Sequence, residues 1–423
     1  MRRLTVVGAG LSGLTCALFA AQRGAEVTLV ATGRGGLSLS HAGIELWASA
    51  SPSRSIARLK EPHPYALAGS DALRSGLKAF REPLKQTGFT FEGGISSSRE
   101  LLTAAGSTRL VSFAPAGAAT REEVKHHPTG IAVIPGLRDY FPELIARNAA
   151  RFGLKLQPLI ELPVFDIPQK RSFYALDLAR RFEDKAWRQE TLRAWKPKLT
   201  GINRLVFPAC LGLESTASIR AQFADELGLL AFEVALPPPT VPGLRLESAL
   251  LLELDRLEVQ RIEGASAIGR FDGRSGGKTT SGLVLETAGA RHSLDAEAVI
   301  LATGGVLHGG LQSLQTQGLR EAVYQIPVQD PTDRRTRVAP SPFGAQAYAG
   351  SGIHVNARMQ PLDSNGQPFL ENLFAAGGII GGADRTREGD RQGIDIATAY
   401  KATQSALRLL GLLKKPSNRK KKG

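Results

Sequence analysis

Arg2-Arg3-Leu4-Thr5-Val6-Val7-Gly8-Ala9-Gly10-Leu11-Ser12-Gly13 decides the fold of this chain. An apolar strand runs straight into a Gly-x-Gly-x-x-Gly turn. A helix follows, spanning about 11–23, with small residues (Thr15, Cys16, Ala17, Ala20, Ala21) along it. Each glycine has its own task. Gly8 makes the tight turn, Gly10 lets a pyrophosphate approach the backbone, and Gly13 lets helix and strand pack closely. The helix start then offers free N–H groups and the positive end of its dipole to phosphate. Gly8, Ala9, Gly10, Ser12 and Gly13 are therefore candidate cofactor contacts.

Two later segments repeat the strand-then-glycine pattern. Ala298-Val299-Ile300-Leu301-Ala302 is a short, fully apolar run ending at Thr303-Gly304-Gly305, as a parallel strand buried on both faces requires. Asn372-Leu373-Phe374-Ala375-Ala376 leads into Gly377-Gly378. Three such junctions fit strands of one parallel sheet whose carboxyl ends share a crevice, where ligands of open α/β sheets bind. Thr303, Gly304, Gly305, Gly377 and Gly378 join the candidate cofactor set. The fold class that follows is α/β: a Rossmann-like FAD/NAD(P)-binding domain with a parallel sheet, plus an inserted α+β cap domain.

The chain has 423 residues, 42% of them hydrophobic and 22% charged, enough for a large core and more than one domain. We divide it into a nucleotide-binding first part (1–94), an inserted cap (95–245), a nucleotide-binding second part (246–413) and a basic, disordered tail (414–423). The prolines around Pro237-Pro238-Pro239 and Pro242-Gly243 mark the second boundary. Within the cap we expect strands at 131–134 and 205–207 and helices at 141–151, 175–195 and 215–228. Beyond it we expect a helix over 246–262, strands at 265–271 and 282–287 joined by a glycine-rich hairpin through 273–277, and a final helix over 394–413.

Only two cysteines, Cys16 and Cys210, occur, which argues against iron–sulfur ligation and a structural zinc site, so no metal is expected. Cys210, in an apolar Phe-Pro-Ala-Cys-Leu setting, reads as a buried thiol. A reducing, cytoplasmic setting fits. No secretory signal or membrane-length apolar run is seen, so membrane association is expected to be peripheral, on the inner face, through a partner.

The net charge is +14, of which six positive charges lie in the tail, leaving +8 for the rest. The tail reads as a solvated end; attraction to an anionic membrane surface, about 1 kcal/mol per basic residue, is the alternative. A second basic stretch, Lys170 to Arg204, holds ten Lys/Arg against four Asp/Glu. Leu178, Phe182 and Ala186 fall there at helical spacing, with Trp187 and Trp195 nearby. This is a solvated helix face or a docking surface for an acidic partner. Nucleic acid is disfavoured as a partner because aromatics make up only 6% of the chain.

These junctions resemble the two-domain flavoproteins of fumarate-reductase and glycerol-phosphate-dehydrogenase type. Along nearly the whole chain the match is closer. His63-Pro64-Tyr65-Ala66-Leu67, Phe207-Pro208-Ala209-Cys210-Leu211-Gly212-Leu213, Leu236 through Leu246, Gly318-Leu319-Arg320-Glu321 and Glu371 through Gly377 resemble the B-subunit family of the anaerobic glycerol-3-phosphate dehydrogenases. The resemblance implies a flavoprotein subunit working with a catalytic A subunit and a membrane-anchoring iron–sulfur C subunit. Together they oxidise glycerol 3-phosphate to dihydroxyacetone phosphate and pass electrons to quinone. A non-catalytic electron-relay or structural flavoprotein subunit of the same complex is the alternative. FMN is the implied cofactor, with FAD as the alternative.

Two departures stand out. The acid that usually closes the second strand and holds the adenosine ribose is replaced by Ala31, while Glu26 sits at the wrong end. That loss agrees with a mononucleotide. In the last loop, Glu388-Gly389-Asp390-Arg391-Gln392-Gly393 stands where the family carries a Gly- and Cys-rich run.

Alcohol oxidation by flavin needs a base for the hydroxyl proton and cations for the substrate phosphate. No such constellation stands out. Arg320 is either a surface arginine paired with Glu321 or a phosphate or flavin contact. His308, four residues after Gly304, is either a loop histidine bonded to backbone or a crevice residue. His41 falls where related flavoproteins pass close to the flavin ring, and His63 reads as packing beside Pro64-Tyr65.

Overall fold

The computed structural model describes residues 2–166, 172–272, 277–314, 318–330 and 334–413. The basic tail, the start of the basic stretch at Lys170-Arg171 and most of the glycine-rich hairpin lie outside the described residues.

The chain forms two compact units, Met1–Gly35 with Arg54–Pro83 and Leu250–Gly423, and Gly36–Ser53 with Leu84–Ala249. Residues 36–53 and 84–94, read from sequence as nucleotide-binding, thus group with the second unit.

The first unit is built on a five-stranded sheet in the order Gln260–Glu263, Glu26–Ala31, Arg3–Val7, Ala298–Leu301, Leu373–Ala375. Every neighbouring pair is parallel. Register places Val7 beside Val30 and Leu301, and Leu301 beside Ala375, so the three glycine junctions leave the sheet at the same end. Backbone bonds carry the ladder past the strand ends: Gly8 donates to Val30, Ala302 to Val7 and Ala376 to Leu301, each at 2.8 Å. The Ala298–Leu301 strand is buried throughout, as its unbroken apolar run requires.

Helices Leu11–Ala21 and Arg391–Leu409 pack against each other in this unit, the Phe19 and Tyr400 rings meeting edge-on at 5.4 Å. Cys16 is buried between them, its Sγ 3.8 Å from the Ala399 carbonyl. A three-stranded antiparallel sheet, Ser266–Phe271, Thr280–Glu286 and Arg291–Asp295, completes the unit with smaller strand pairs.

The second unit has its own parallel sheet, in the order Leu230–Val234, Arg204–Pro208, Thr129–Val133, Leu156–Glu161, and two antiparallel strand pairs. Phe182, Trp195, Phe207 and Phe223 interlock in its core, with ring centroids 5.8–6.3 Å apart. Cys210 is fully buried in the same core.

Two expected helices come out differently. The 175–195 helix is broken into Ala175–Phe182 and Lys185–Trp195. Asp184 caps the second piece, accepting from the N–H groups of Ala186 and Trp187 at 3.0 and 3.1 Å. Glu183 turns away to accept the N–H groups of Leu213, Glu214 and Ser215. The break rotates Ala186 to the surface, while Leu178, Phe182, Trp187 and Trp195 enter the core. The apolar stripe of this basic stretch is therefore interior packing.

The helix expected at 246–262 begins earlier and ends sooner, at Val241–Arg256, and Gln260–Glu263 is an edge strand. The Thr240 hydroxyl accepts the Gly243 N–H at 3.0 Å and so caps the early start. Glu258, with φ of 56°, turns the chain out of the helix, and Val259 and Ile262 suit the strand.

Candidate functional site

The first glycine turn behaves as three distinct positions. Gly8 has φ of 113°, and a Cβ there would lie 2.3 Å from the Ala302 carbonyl oxygen. A Cβ on Gly13 would fall 1.7 Å from the Gly8 carbonyl oxygen, so helix and turn touch backbone to backbone. Gly10 is the opposite case, since a Cβ there would meet nothing within 4 Å. Open space thus lies over the one glycine that a phosphate must approach. Gly10 provides no side-chain cap to helix Leu11–Ala21, and no acid sits in the first turn. The first-turn N–H groups have no intrahelical partner and form the positive end of the helix dipole. These features fit a nucleotide phosphate.

The other junctions close around the same sheet end. A Cβ on Gly305 would sit 3.0 Å from the Gly378 carbonyl oxygen, so the second and third junctions are adjacent. Thr303, between them and the strand, has a buried hydroxyl oxygen with no hydrogen-bond partner, a polar group a bound molecule would satisfy. His308 follows in a short turn, exposed, with its Cβ packed against Gly304. His308 thus stands beside the middle junction with its ring at the surface.

Long-range contacts that sequence did not foretell knit the first and third junctions. The Ser12 hydroxyl donates to Asp395 Oδ1 at 2.8 Å, and the Arg385 Nη2 donates to the same oxygen at 2.5 Å. Arg385 Nη2 also donates to the Arg391 carbonyl at 2.6 Å. A Cβ on Gly377 would strike Ser12 Oγ at 1.9 Å, and one on Gly378 would strike Arg385 Nη1 at 2.4 Å. The Ser12 side chain is therefore spent on Asp395, and only its backbone N–H remains for a phosphate.

His63 does more than pack. Its ring stacks on Tyr65 at 5.6 Å, and in the neutral ring Nδ1 accepts the Tyr65 N–H at 3.2 Å, capping helix Pro64–Ala68. Its Nε2 faces Glu388 Oε2 at 3.1 Å and Asp390 Oδ2 at 3.6 Å. Burial lowers the His63 pKa, but the two carboxylates outweigh it and raise it to about 9. Asp390 is fully buried, and burial pushes its carboxyl up to about 6 against the pull of His63. Glu388 is held below the usual carboxylate range, its half-burial outweighed by His63. The three ligand-type atoms lie within 4.8 Å of one another, the only such grouping among the described residues. With Nδ1 accepting from Tyr65, a neutral ring carries its proton on Nε2, where a metal would need a lone pair. The cluster is built to share protons rather than to ligate a cation.

Arg320 lies on strand Gly318–Glu321, opposite Gln312. It is not paired with Glu321 as the simpler reading expected. Neighbouring strand residues point to opposite faces, and the Glu321 carboxylate is buried, accepting the Val323 and Tyr324 N–H groups at 2.8 and 2.7 Å. Burial pushes Glu321 up to about 7.

His41 belongs to the second unit. Its Nδ1 accepts the Gly43 N–H at 3.0 Å and its Nε2 lies 3.1 Å from Glu45 Oε1, which Arg109 also engages. Burial favours a neutral Glu45, but these two partners prevail and bring it down to about 2.

No helix among the described residues is long and apolar enough to cross a membrane. A family model described as FAD binding domain matches residues 4–139 and 180–393. Over 433 residues the chain is 27% identical to a Halobacterium salinarum protein named as the probable B subunit of an anaerobic glycerol-3-phosphate dehydrogenase, covering 95% of this chain and 96% of that one. It is 26% identical over 441 residues to the B subunit of the anaerobic glycerol-3-phosphate dehydrogenase of Haemophilus influenzae, covering 96% and 99% respectively. Among solved structures, the open conformation of a flavocytochrome c3 fumarate reductase aligns with 97% of this chain and 78% of that chain, at 10% identity and a TM-score of 0.42.

Proposed function

Since the chain belongs to the FAD binding domain family, we propose that it is the flavin-carrying B subunit of a quinone-linked glycerol-3-phosphate dehydrogenase. In this reading the complex oxidises glycerol 3-phosphate to dihydroxyacetone phosphate. The observation that carries it is the crevice where three glycine junctions meet at one end of the parallel sheet, with open space over Gly10. Full-length similarity to two proteins named as B subunits supports the substrate and the company of further subunits. A catalytic A subunit and a membrane-anchoring iron–sulfur C subunit are the partners proposed, and membrane attachment would come through them.

The family match supports FAD. The expectation of FMN, drawn from Ala31, finds no such support: losing one carboxylate removes one ribose contact, and backbone groups can replace it. Backbone N–H groups at the start of helix Leu11–Ala21 would hold the phosphates, and Thr303 and the Gly304–Gly305 and Gly377–Gly378 backbones would line the flavin. Bound flavin supplies hydride acceptance from the alcohol carbon.

A relay role, with substrate oxidised on another subunit, is the second reading. It is favoured by the histidines: His63 is bonded to Glu388, His41 to Glu45, and His308 is exposed. One experiment serves both. Purified chain should be yellow, heat should release FAD, and glycerol 3-phosphate should bleach it when the A subunit is present. Properly reconstituted protein that stays colourless refutes the flavoprotein reading. Complex that turns over fully with a flavin-free Gly10 variant but fails to assemble without the chain favours a structural subunit.

A further inference from the structure

We propose that Arg385 is the cation that biases the bound flavin toward its reduced form, with Asp395 as its positioning partner. The assignment rests on the flavin reading above and deepens it.

Arg385 comes from the loop after the third glycine junction. Its Nη2 is fixed by two acceptors, Asp395 Oδ1 at 2.5 Å and the Arg391 carbonyl at 2.6 Å. Those anchors leave Nη1 in the space a Gly378 side chain would need, 2.4 Å from that Cβ position. The Gly378 carbonyl in turn borders Gly305. Arg385 Nε is buried with no hydrogen-bond partner. A guanidinium is thus held rigidly at the meeting point of the second and third junctions.

The order of charges says which part of the ligand it serves. Asp395 lies between Arg385 and Ser12, and it is the carboxylate that faces the phosphate-binding helix through the Ser12 hydroxyl. A cation meant for phosphate would stand on that side. Arg385 stands on the Gly378–Gly305 side instead. Two-electron reduction with uptake of one proton leaves the flavin ring with one negative charge, whereas the oxidised ring is neutral. A fixed cation beside it favours the reduced form, and Asp395 partly cancels that field while fixing the side chain. Glycine at 378 is what makes room for the guanidinium.

The test uses full-length chain reconstituted with FAD, FMN or riboflavin. Affinity is read by flavin fluorescence and the two-electron potential by equilibration with a reference dye. Arg385→Gln should weaken the preference for reduced over oxidised flavin at least tenfold, a fall of about 30 mV. Arg385→Lys should recover part of it. Asp395→Asn keeps an acceptor for Arg385 and Ser12 but removes the opposing charge, so the potential should rise. A structural role would not move the two variants in opposite directions. Unchanged potentials, or shifts of the same sign, overturn the proposal. So does an Arg385→Gln that loses affinity for FAD and FMN alone, with riboflavin and the potential unaffected, since the cation would then serve phosphate. Wild-type chain that binds none of the three flavins defeats the flavin reading itself, and this assignment with it.

Discussion

Alanine at position 10 separates ligand binding from folding more cleanly than any other change in the glycine turn. Gly10 has φ of −74° and ψ of −179°, an extended conformation open to any residue, and its Cβ would meet nothing within 4 Å. Replacing glycine there removes unfolded-state freedom, a gain of about 0.4–1 kcal/mol. Alanine is a poorer N-cap than glycine by about 1 kcal/mol at most. The two nearly cancel, so the ligand-free melting temperature should move by no more than about 2 °C. The new methyl, however, fills the space that a phosphate needs. Flavin affinity should fall at least tenfold, about 1.4 kcal/mol. Gly13→Ala is the contrasting control. Its Cβ would lie 1.7 Å from a backbone oxygen, so the helix must shift, at about 1–3 kcal/mol or more. Thermal melts of the flavin-free proteins and a fluorescence titration with FAD measure both quantities. A Gly10→Ala protein that binds FAD like wild type, or melts as low as Gly13→Ala, would refute the reasoning.

Three further outcomes are expected. The His63 pKa is raised to about 9 from 6.5, so its stabilising share is complete below pH 6.5 and is lost as pH rises through 9; melting temperature should drop across that window, and His63→Gln should flatten the drop. Arg245 and Glu233 form a buried two-pronged pair with contacts of 2.6 and 3.0 Å, so Arg245→Met should cost about 3–5 kcal/mol in urea unfolding, and the double change with Glu233→Leu should recover much of it. Asp184→Ala should cost about 1 kcal/mol through loss of the cap on Lys185–Trp195, read by the same unfolding titration, and no loss would mean the helix break is held by Glu183 alone.

The parts of this molecule that were legible in sequence are those with a local cause. Strand Arg3–Val7, the turn after it and the apolar run Ala298–Leu301 each announce themselves within about a dozen residues, and all three take their expected places in one sheet. The missed parts depend on distant partners. Ser12 meets Asp395 across 383 positions and His63 meets Glu388 across 325, separations over which one sequence gives no pairing signal. Asp390, in the run that departs from the family pattern, is buried beside His63, and nothing local in the sequence pairs the two. Helix ends failed for a nearer reason. Asp184 in the middle of an apolar stripe was a cap in waiting, and Glu258 in a left-handed conformation ended a helix whose periodicity ran on past it.

The threading of the chain through its two units sets the order in which they can be made. Everything the second unit needs, residues 36–53 and 84–249, has left the ribosome before residue 250 appears. The first unit at that moment owns two of its five strands, Arg3–Val7 and Glu26–Ala31, and neither long helix Arg391–Leu409 nor the remaining strands exist. At about 5–20 residues per second, the missing stretch takes roughly 10–30 s to arrive. Ala298–Leu301 comes about 50 residues after position 249, so strand Arg3–Val7, destined for the middle of the sheet, has an open edge for roughly 3–10 s of that time. A chain cut short after 249 would lack Ala298–Leu301 and leave the Arg3–Val7 strand with an exposed β-edge.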